Sequence, residues 1–529
     1  MRKLFTIFLT LVVFQLSAQI QDFVDYHDEA SEIVRSEGKF LNGQEHGEWN
    51  YYYADGTLKE TANYNRGRLD GEVTTYYFNG NLQERGFFKW GEQDSIFESY
   101  YLNENPLSKG NYEEGLKVGN WNYWYNDSTP RMEEKYTGDA TPKLVSFWTK
   151  DGEQTIINGN GKLMAYYDSG EPQNRETYKN GVIDGFSETW YAGGVPRTTG
   201  YYKDGKKDSL WNYFLDTGSK YKTTFFEMDT LNGPYLEYFD DGDTSVTGQF
   251  LEGDKHGEWV FHRREGHPEM RGDFENGEQN GEWKYWFENG ELQIRGNWKN
   301  GKRDGTWEYF YRDGSKWRRG DFDDGKKQGE WVTWFEDGTV LQRGTYENGL
   351  EEGLWKSWYE NANPKDEGSF TAGKIDGKWK GWYPDETRRY EGTWENDMKN
   401  GNWKNWYPNG KLEENAWYKN GVLNGPYISY SEQGIPEREG SYNDGKPDGK
   451  WIYFFQEGGK MREATYESGK LNGKSVTYHR RGGQPHLEEY YENGKREGKS
   501  TEYSPRGNVI QAVEYENGQK VKVISDNRR

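Results

Sequence analysis

Aromatic residues punctuate this chain at fixed distances, with polar residues and glycine-containing dipeptides between them. The segments GEWKYWFENGELQIRGNWKNGKRD (281–304), GTWEYFYRDGSKWRRGDFDDGKKQ (305–328) and GEWVTWFEDGTVLQRGTYENGLEE (329–352) align over 24 residues without a gap. The opening glycine recurs at Gly185, Gly233, Gly257, Gly281, Gly305, Gly329, Gly353, Gly377, Gly401, Gly425, Gly449 and Gly473, with Ser209 at the missing step. Earlier anchors fall at Gly47, Gly71, Ser95 and Gly119, and the last at Gly498. Between Gly119 and Gly185 the register slips, through Lys143 and Gly161. About 20 units thus cover residues 39–519, irregular at 131–184. Self-similarity at such a period marks a repeat architecture.

Counted from the anchor, position +5 is aromatic in 19 of 20 units, with His262 the exception. Position +17 is aromatic in 19 of 20, with Asn160 the exception, and position +2 is Trp in eleven. Position +9 is Gly in 16 of 20, usually within Asn-Gly or Asp-Gly, as at Asn289-Gly290 and Asp337-Gly338. A second such turn follows about eleven residues later, as at Asn276-Gly277 and Asn300-Gly301. Asn-Gly between aromatic runs predicts type I′ hairpin turns, whose two central residues both need positive φ. Two turns per unit leave two strands of roughly six or seven residues. No unit carries an apolar 3.6-residue stripe longer than two turns, which disfavours helices.

The predicted fold is therefore all-β: an elongated repeat array of about 20 hairpin units in a twisted, single-layer antiparallel sheet. Forty strands in one sheet would extend on the order of 190 Å at about 4.8 Å per strand. Positions +2 and +5 have opposite parity, which puts aromatics on both faces unless a bulge beside the turn breaks the alternation.

Composition would otherwise argue against folding. Only 32% of the 529 residues are hydrophobic, the net charge is −21, and the aliphatics are few beside 24 Trp, 42 Tyr and 25 Phe. Such a balance usually signals disorder. Cross-strand aromatic pairs worth about 0.2–1 kcal/mol each, repeated in every unit, supply the missing core. The absence of cysteine excludes disulfides, thiolate metal sites and cysteine nucleophiles. Residues 1–18, MRKLFTIFLTLVVFQLSA, have the basic start, apolar run and small-residue exit of a signal peptide. Residues 19–38 are expected to cap the first sheet edge, and the charged tail 520–529 to blunt the other. Export places the chain in the periplasm, at the cell surface or in the medium.

Gly296-Asn297-Trp298, continuing through Gly301 to Gly305-Thr306-Trp307, resembles a MORN (membrane occupation and recognition nexus) repeat. So does the run from Gly392-Thr393-Trp394 to Gly401-Asn402-Trp403. The closing G-x-W in place of G-x-G, and the extra residue per unit, are similar to the MORN-variant repeats of the YwqK-family antitoxins, in long exported arrays of Bacteroidetes type. The resemblance implies a twisted sheet of hairpins used as a scaffold or binding surface, and, through the family label, a toxin as partner.

Catalytic signatures are missing from the sequence. His46 and His256 sit in HGEW turns, and no H-E-x-x-H, EF-hand loop, P-loop or G-x-S-x-G occurs. Asp240-Asp241-Gly242-Asp243 lacks the alternating spacing and terminal Glu of a calcium loop. The expectation is no enzyme, no cofactor and no metal. The 68 basic residues are interspersed among 89 acidic ones, so nucleic acid and anionic membrane lipid are electrostatically poor partners. Two tryptophan rows are the candidate binding residues. The first is Trp259, Trp283, Trp307, Trp331, Trp355, Trp379 and Trp403; the second, of opposite parity, is Trp286, Trp334, Trp358, Trp382 and Trp406. The competing reading makes at least one row the core, since a one-layer sheet has nothing else to bury. The expected function is an exported, non-catalytic scaffold for protein–protein interaction, antitoxin-like toward a basic protein. The alternatives are carbohydrate or peptidoglycan binding through the Trp rows, and a mechanical spacer.

Overall fold

The structure, a computed structural model, describes residues 19–28, 32–138 and 141–528. The leader 1–18 lies outside the described residues. No helix occurs among them; within each of the two units described below, strands that follow one another across a turn pair antiparallel. It divides into two units, Met1–Gly253 and Asp254–Arg529. The first holds the strands from Ile20–Tyr26 to Thr244–Leu251, the second those from Asp254–His262 to Gln519–Asp526.

The repeat beginning at Gly281 shows why the period is 24. Strand Glu278–Trp286 has nine residues, a connection of five follows, strand Leu292–Lys299 has eight, and the two residues Asn300-Gly301 lead to Lys302. The strands exceed the expected six or seven residues because the ladder continues through the anchor and up to the turn. Asn300-Gly301 is a two-residue type I′ turn, with φ of 48° and 71° and Lys299 paired to Lys302. The expectation of a second type I′ turn at Asn289-Gly290 is corrected. There only Gly290 has positive φ (84°), Phe287 N–H donates to Glu291 O at 2.9 Å, and Gly290 N–H donates to Phe287 O at 3.0 Å. This is a three-residue loop closed by a left-handed glycine. Asn289 serves it through its side chain, Oδ1 accepting from Glu291 N–H at 3.2 Å. The same dipeptide thus marks two turn types.

A bulge does sit at the anchor. Arg271 pairs with Lys284 and Asp273 with Asn280, so Gly272 alone faces Gly281, Glu282 and Trp283. Beyond it the alternation is regular: Trp283 and Tyr285 share one face with Gly296, and Lys284 and Trp286 share the other with Arg295.

Successive hairpins are tied together at both sheet margins. At most of the type I′ turns the glycine N–H donates to a carbonyl 22 residues earlier, as Gly301 to Gln279 O at 3.0 Å and Gly349 to Lys327 O at 2.9 Å. At the opposite margin the tyrosine at +6 donates its hydroxyl to the main chain 23 residues later. Tyr311 reaches Trp334 O at 2.8 Å, Tyr359 reaches Trp382 O at 2.9 Å and Tyr383 reaches Trp406 O at 2.8 Å.

The described residues of the irregular stretch 131–184 are still mostly strand. Its short strands Lys143–Trp148 and Gln154–Ile157 contribute to a hydrophobic cluster of Leu144, Phe147, Ile156 and Leu163. Both ends are strands. Ile20–Tyr26 pairs with Val34–Leu41, and Gln519–Asp526 pairs with Val509–Glu516, so most of the stretch expected as a charged tail lies in the ladder.

Candidate interaction faces

The first tryptophan row is interior. Trp259, Trp283 and Trp307 are each 1% exposed, Trp331, Trp355 and Trp403 are buried, and Trp379 is half-buried. From Trp283 to Trp403 each indole lies flat on a glycine of the preceding strand: a Cβ built on Gly272 would stand 2.2 Å from Trp283, on Gly296 2.2 Å from Trp307, and on Gly320 2.1 Å from Trp331. The indole N–H donates to the carbonyl after that glycine, at the bulge: Trp283 to Asp273 O at 3.1 Å, Trp307 to Asn297 O at 3.0 Å, Trp403 to Thr393 O at 2.9 Å. The +17 ring of each strand wedges edge-on between consecutive indoles. Trp307–Phe322, Phe322–Trp331, Trp331–Tyr346 and Tyr346–Trp355 have centroids 5.8, 5.2, 5.9 and 5.1 Å apart, all near perpendicular.

A cation closes many of these stacks. Lys255 lies 4.3 Å from the Trp259 ring, Arg303 4.7 Å from Trp307, Lys327 4.9 Å from Trp331 and Lys399 4.4 Å from Trp403. Burial pushes the ammonium groups of Lys327 and Lys399 below the ordinary lysine value. The same burial raises the Tyr346 hydroxyl to about 12, helped by Glu351. Packed on glycine and against neighbouring rings, and in four of the seven under a cation, the first row leaves little ring surface open, Trp379 being its least covered member. The binding-ladder reading of Trp259, Trp283, Trp307, Trp331, Trp355, Trp379 and Trp403 is replaced by a core.

Trp286, Trp334, Trp358, Trp382 and Trp406 lie on the opposite face, all half-buried. Down the middle of that face in the second unit runs a ladder of directly opposed residues, from Arg271 through Lys284, Arg295, Glu308, Arg319, Val332, Arg343, Lys356, Glu367, Lys380 and Glu391 to Lys404. Basic residues are therefore gathered here, not merely interspersed. Flanking carboxylates meet them: Glu258 lies 2.5 Å from Arg271, Glu282 2.7 Å from Lys284 and Glu330 3.4 Å from Arg343. The charge is thus largely balanced in place, and such exposed pairs contribute little stability.

Beyond Lys404 the ladder changes character. Asn415 follows, and from Ile428 through Glu439, Ile452, Glu463 and Val476 to Glu488 apolar and acidic side chains alternate. A depression of about 440 Å³ opens between Asn415, Ile428, Glu439, Ser441, Lys450 and Ile452. Asn415 Oδ1 is buried in this stretch without a hydrogen-bond partner. In the first unit the ladder includes Glu98, whose hydrogen bonds from Lys109 (2.8 Å) and Arg85 (2.5 Å) hold its carboxyl down at about 2.

The remaining candidates are structural. Asp241 Oδ1 accepts from Asp243 N–H at 3.1 Å, as loop residues two apart do elsewhere. His27 and His479 stand in for the +6 tyrosine, with Nε2 3.0 Å from Tyr52 O and 2.8 Å from Tyr503 O. No cluster of three or more metal-ligating side chains occurs among the described residues.

Three columns escaped the sequence reading: the glycine at +15, the cation four residues before the core Trp, and the +6 tyrosine. The first had a clear signal. All eleven Trp at +2 have glycine eleven residues earlier. Where that residue is Ala62, Ala416 or Ala464, its partner is Val73, Tyr427 or Ser475. The ladder escaped because its neighbours are spaced alternately 11 and 13 residues apart, as in Arg271, Lys284 and Arg295.

Six segments of the chain match the family model of the MORN repeat variant: residues 45–66, 69–89, 279–300, 327–348, 399–420 and 496–517. Every match has the same phase, covering the Trp-position strand, the three-residue loop and the strand that carries the +17 ring. Comparison with curated proteins gives no match. Among solved structures, the crystal structure of TcdB2-TccC3-Cdc42 aligns with 94% of this chain and 30% of that one, at 10% identity and a TM-score of 0.13. The Photorhabdus luminescens Tc holotoxin pore aligns with 90% of this chain and 28% of that one, at 10% identity and the same score. The chain spans less than a third of those chains, and similarity at that score informs neither fold nor function.

Proposed function

We propose that this chain is an exported, non-catalytic hairpin-repeat scaffold that binds a partner protein on the face opposite its tryptophan core. The observation that carries the reading is the division of labour between faces. One face is largely used up by the chain's own rings, while the other presents charged and polar side chains and, in most units, a half-buried aromatic. The stretch from Ile428 to Glu488, alternately apolar and acidic around the depression at Ile452, suits a basic protein segment with apolar side chains. The net charge of −21 favours the same kind of partner at long range. The leader-like 1–18 supports export, and the likeness to YwqK-family repeats makes a toxin one form that partner would take.

The test compares the intact chain with an Ile452→Lys variant as bait in the exported fraction of the source cells. The reading expects one protein to be captured in a salt-sensitive way and its capture to fall about tenfold in the variant, equivalent to about 1.4 kcal/mol. Equal capture by both baits would refute the assigned surface.

A second reading rests on the row Trp334, Trp358, Trp382 and Trp406. These half-buried rings recur every two strands, or roughly 10 Å, close to the length of a disaccharide. Retention on peptidoglycan that disappears in Trp358→Ala plus Trp382→Ala, with the fold intact, would favour it over the first.

A further inference from the structure

The central ladder of the second unit keeps its acidic charges paired, with one exception. Its glutamates are Glu308, Glu367, Glu391, Glu439, Glu463 and Glu488. All but Glu439 have a cation in place: Glu308 meets Arg295, Glu367 meets Lys356 at 3.2 Å, Glu391 meets Arg388 at 3.6 Å, Glu463 meets Lys450 at 3.2 Å and Glu488 meets Lys474 at 2.9 Å. Among the described residues, Glu439 has neither an ion pair nor a side-chain hydrogen bond.

The repeat shows what is missing. Lys450 stands two residues before Ile452, the residue directly opposite Glu463, and Lys474 two before Val476, opposite Glu488. The matching place beside Glu439, two before its opposite residue Ile428, is held by Pro426. The residue opposite Glu439 on its other side is Ile452. Lys450 also lines the depression there but is engaged by Glu463. Glu439 is thus half-buried between two isoleucines with its own-chain cation replaced by an apolar ring, an arrangement that costs free energy until a counter-charge arrives.

We infer that Glu439 is a receptor for one protonated lysine or arginine side chain of a partner protein, whose methylene stem lies along Pro426, Ile428 and Ile452. The inference rests on the scaffold reading of the open face and names the chemistry by which that face selects. A long apolar stem ending in a cation matches apolar walls around a single carboxylate. The contact it makes is a charge-assisted hydrogen bond, normally about 2.7–2.9 Å long. A calcium or magnesium ion fits poorly, since one carboxylate among isoleucines and a proline supplies too few oxygens.

The experiment is methyl NMR on the full chain, following Ile428 and Ile452 while N-acetyl-lysine amide, N-acetyl-arginine amide or the uncharged N-acetyl-norleucine amide is added at millimolar concentration. The expected result is saturable shifts with both cationic amides, and binding about tenfold weaker with norleucine, the scale of a hydrogen bond to a charged group. Glu439→Gln removes the charge and keeps the shape; Pro426→Lys supplies from within the chain the lysine that Glu463 and Glu488 already have. Each should bring the lysine amide down to the level of norleucine, while Glu488→Gln should leave it unchanged. The proposal would be overturned by lysine amide giving no shift, by norleucine or calcium chloride acting as strongly as lysine, or by undiminished lysine binding in either variant. The norleucine comparison uses the unaltered chain, so the test does not hang on how a variant folds. Partner capture lost in Ile452→Lys but kept in Glu439→Gln would leave the scaffold reading standing and overturn this one. Lysine binding at Glu439 with no protein captured would do the reverse.

Discussion

Gly320→Ala is the sharpest test of how the core is built. The added methyl carbon would stand 2.1 Å from Cδ2 and 2.2 Å from Cε2 of Trp331, where carbon atoms normally keep about 3.5–4.0 Å. The indole must lift, but it is 3% exposed and held by Phe322 at 5.2 Å and Tyr346 at 5.9 Å. Lifting also stretches the 3.2 Å bond from Trp331 Nε1 to Asp321 O. Overpacking costs about 1–3 kcal/mol and a weakened buried hydrogen bond about 0.5–1.5 kcal/mol, so the site should lose roughly 2–4 kcal/mol. In a nearest-neighbour array that loss stays local. The assay is amide hydrogen exchange read on strands Lys316–Asp323 and Lys326–Trp334, with Lys446–Phe454 as internal reference. Exchange there should quicken roughly 30- to 700-fold, at about 1.4 kcal/mol per decade, while the reference strand holds. Adding Trp331→Tyr, which copies the natural pair Ala416 and Tyr427, should restore most of the protection. Unchanged exchange in the single variant, or a double variant no better than the single, would refute the account of indole on glycine.

Four other outcomes follow from the same geometry. Tyr359→Phe removes the 2.9 Å bond to Trp382 O and should cost about 1 kcal/mol, seen as faster exchange between neighbouring hairpins without loss of far-ultraviolet signal. Ala362 occupies the +9 position at φ 65°, a left-handed conformation costing about 1–2 kcal/mol outside glycine, so Ala362→Gly should raise local stability by about 0.5–1 kcal/mol despite the freer unfolded chain. Glu98 is held near 2 by Lys109 and Arg85, so its contribution is present above the ordinary carboxylate value of 4.5 and lost as pH falls through about 2. Exchange protection of strands Leu82–Lys89 to Pro106–Glu113 should follow that acid limb, and Glu98→Gln should flatten it. Ile428→Lys with Ile452→Lys should leave the unfolding midpoint unchanged to within about 0.5 kcal/mol, because both lie on the open face; a larger loss would make that stretch core.

The hairpin array was legible because one cause is copied many times. A glycine or asparagine forced into the left-handed region leaves the same mark in every unit, and aromatic columns at +5 and +17 fix where strands run. What stayed hidden lies between strands. Whether Trp283 or Trp286 faces the core depends on the bulge at Gly281, which no local pattern announces. The second turn was misassigned because Asn289 and Asn300 are the same residue type doing different work: one accepts through its side chain, the other adopts positive φ. The ladder on the open face was invisible for a geometric reason. Its members meet only after folding, at alternating separations that a search for a single period passes over.

Because each core tryptophan is fixed by its own glycine, its own carbonyl and its own neighbouring rings, the core of one unit places few demands on the open face of the next. Trp403 and Trp451 are 3% and 1% exposed, on either side of the point where the ladder turns from mainly basic to acidic and apolar. The rings continue with the same geometry: Trp394–Trp403 at 5.2 Å and Tyr442–Trp451 at 4.9 Å, both edge to face. A change of surface chemistry that the core neither requires nor registers needs a cause on the surface itself. Stability alone would be served as well by Lys and Glu at positions 428 and 452 as by two isoleucines left half-buried. Their presence beside Glu439, over the unpartnered Asn415 Oδ1, is what the proposed protein-binding surface would account for. The same reasoning separates the two tryptophan rows. Rings that pack on glycine explain their own presence, whereas Trp358 and Trp382 on the open face are only half-covered by the chain itself.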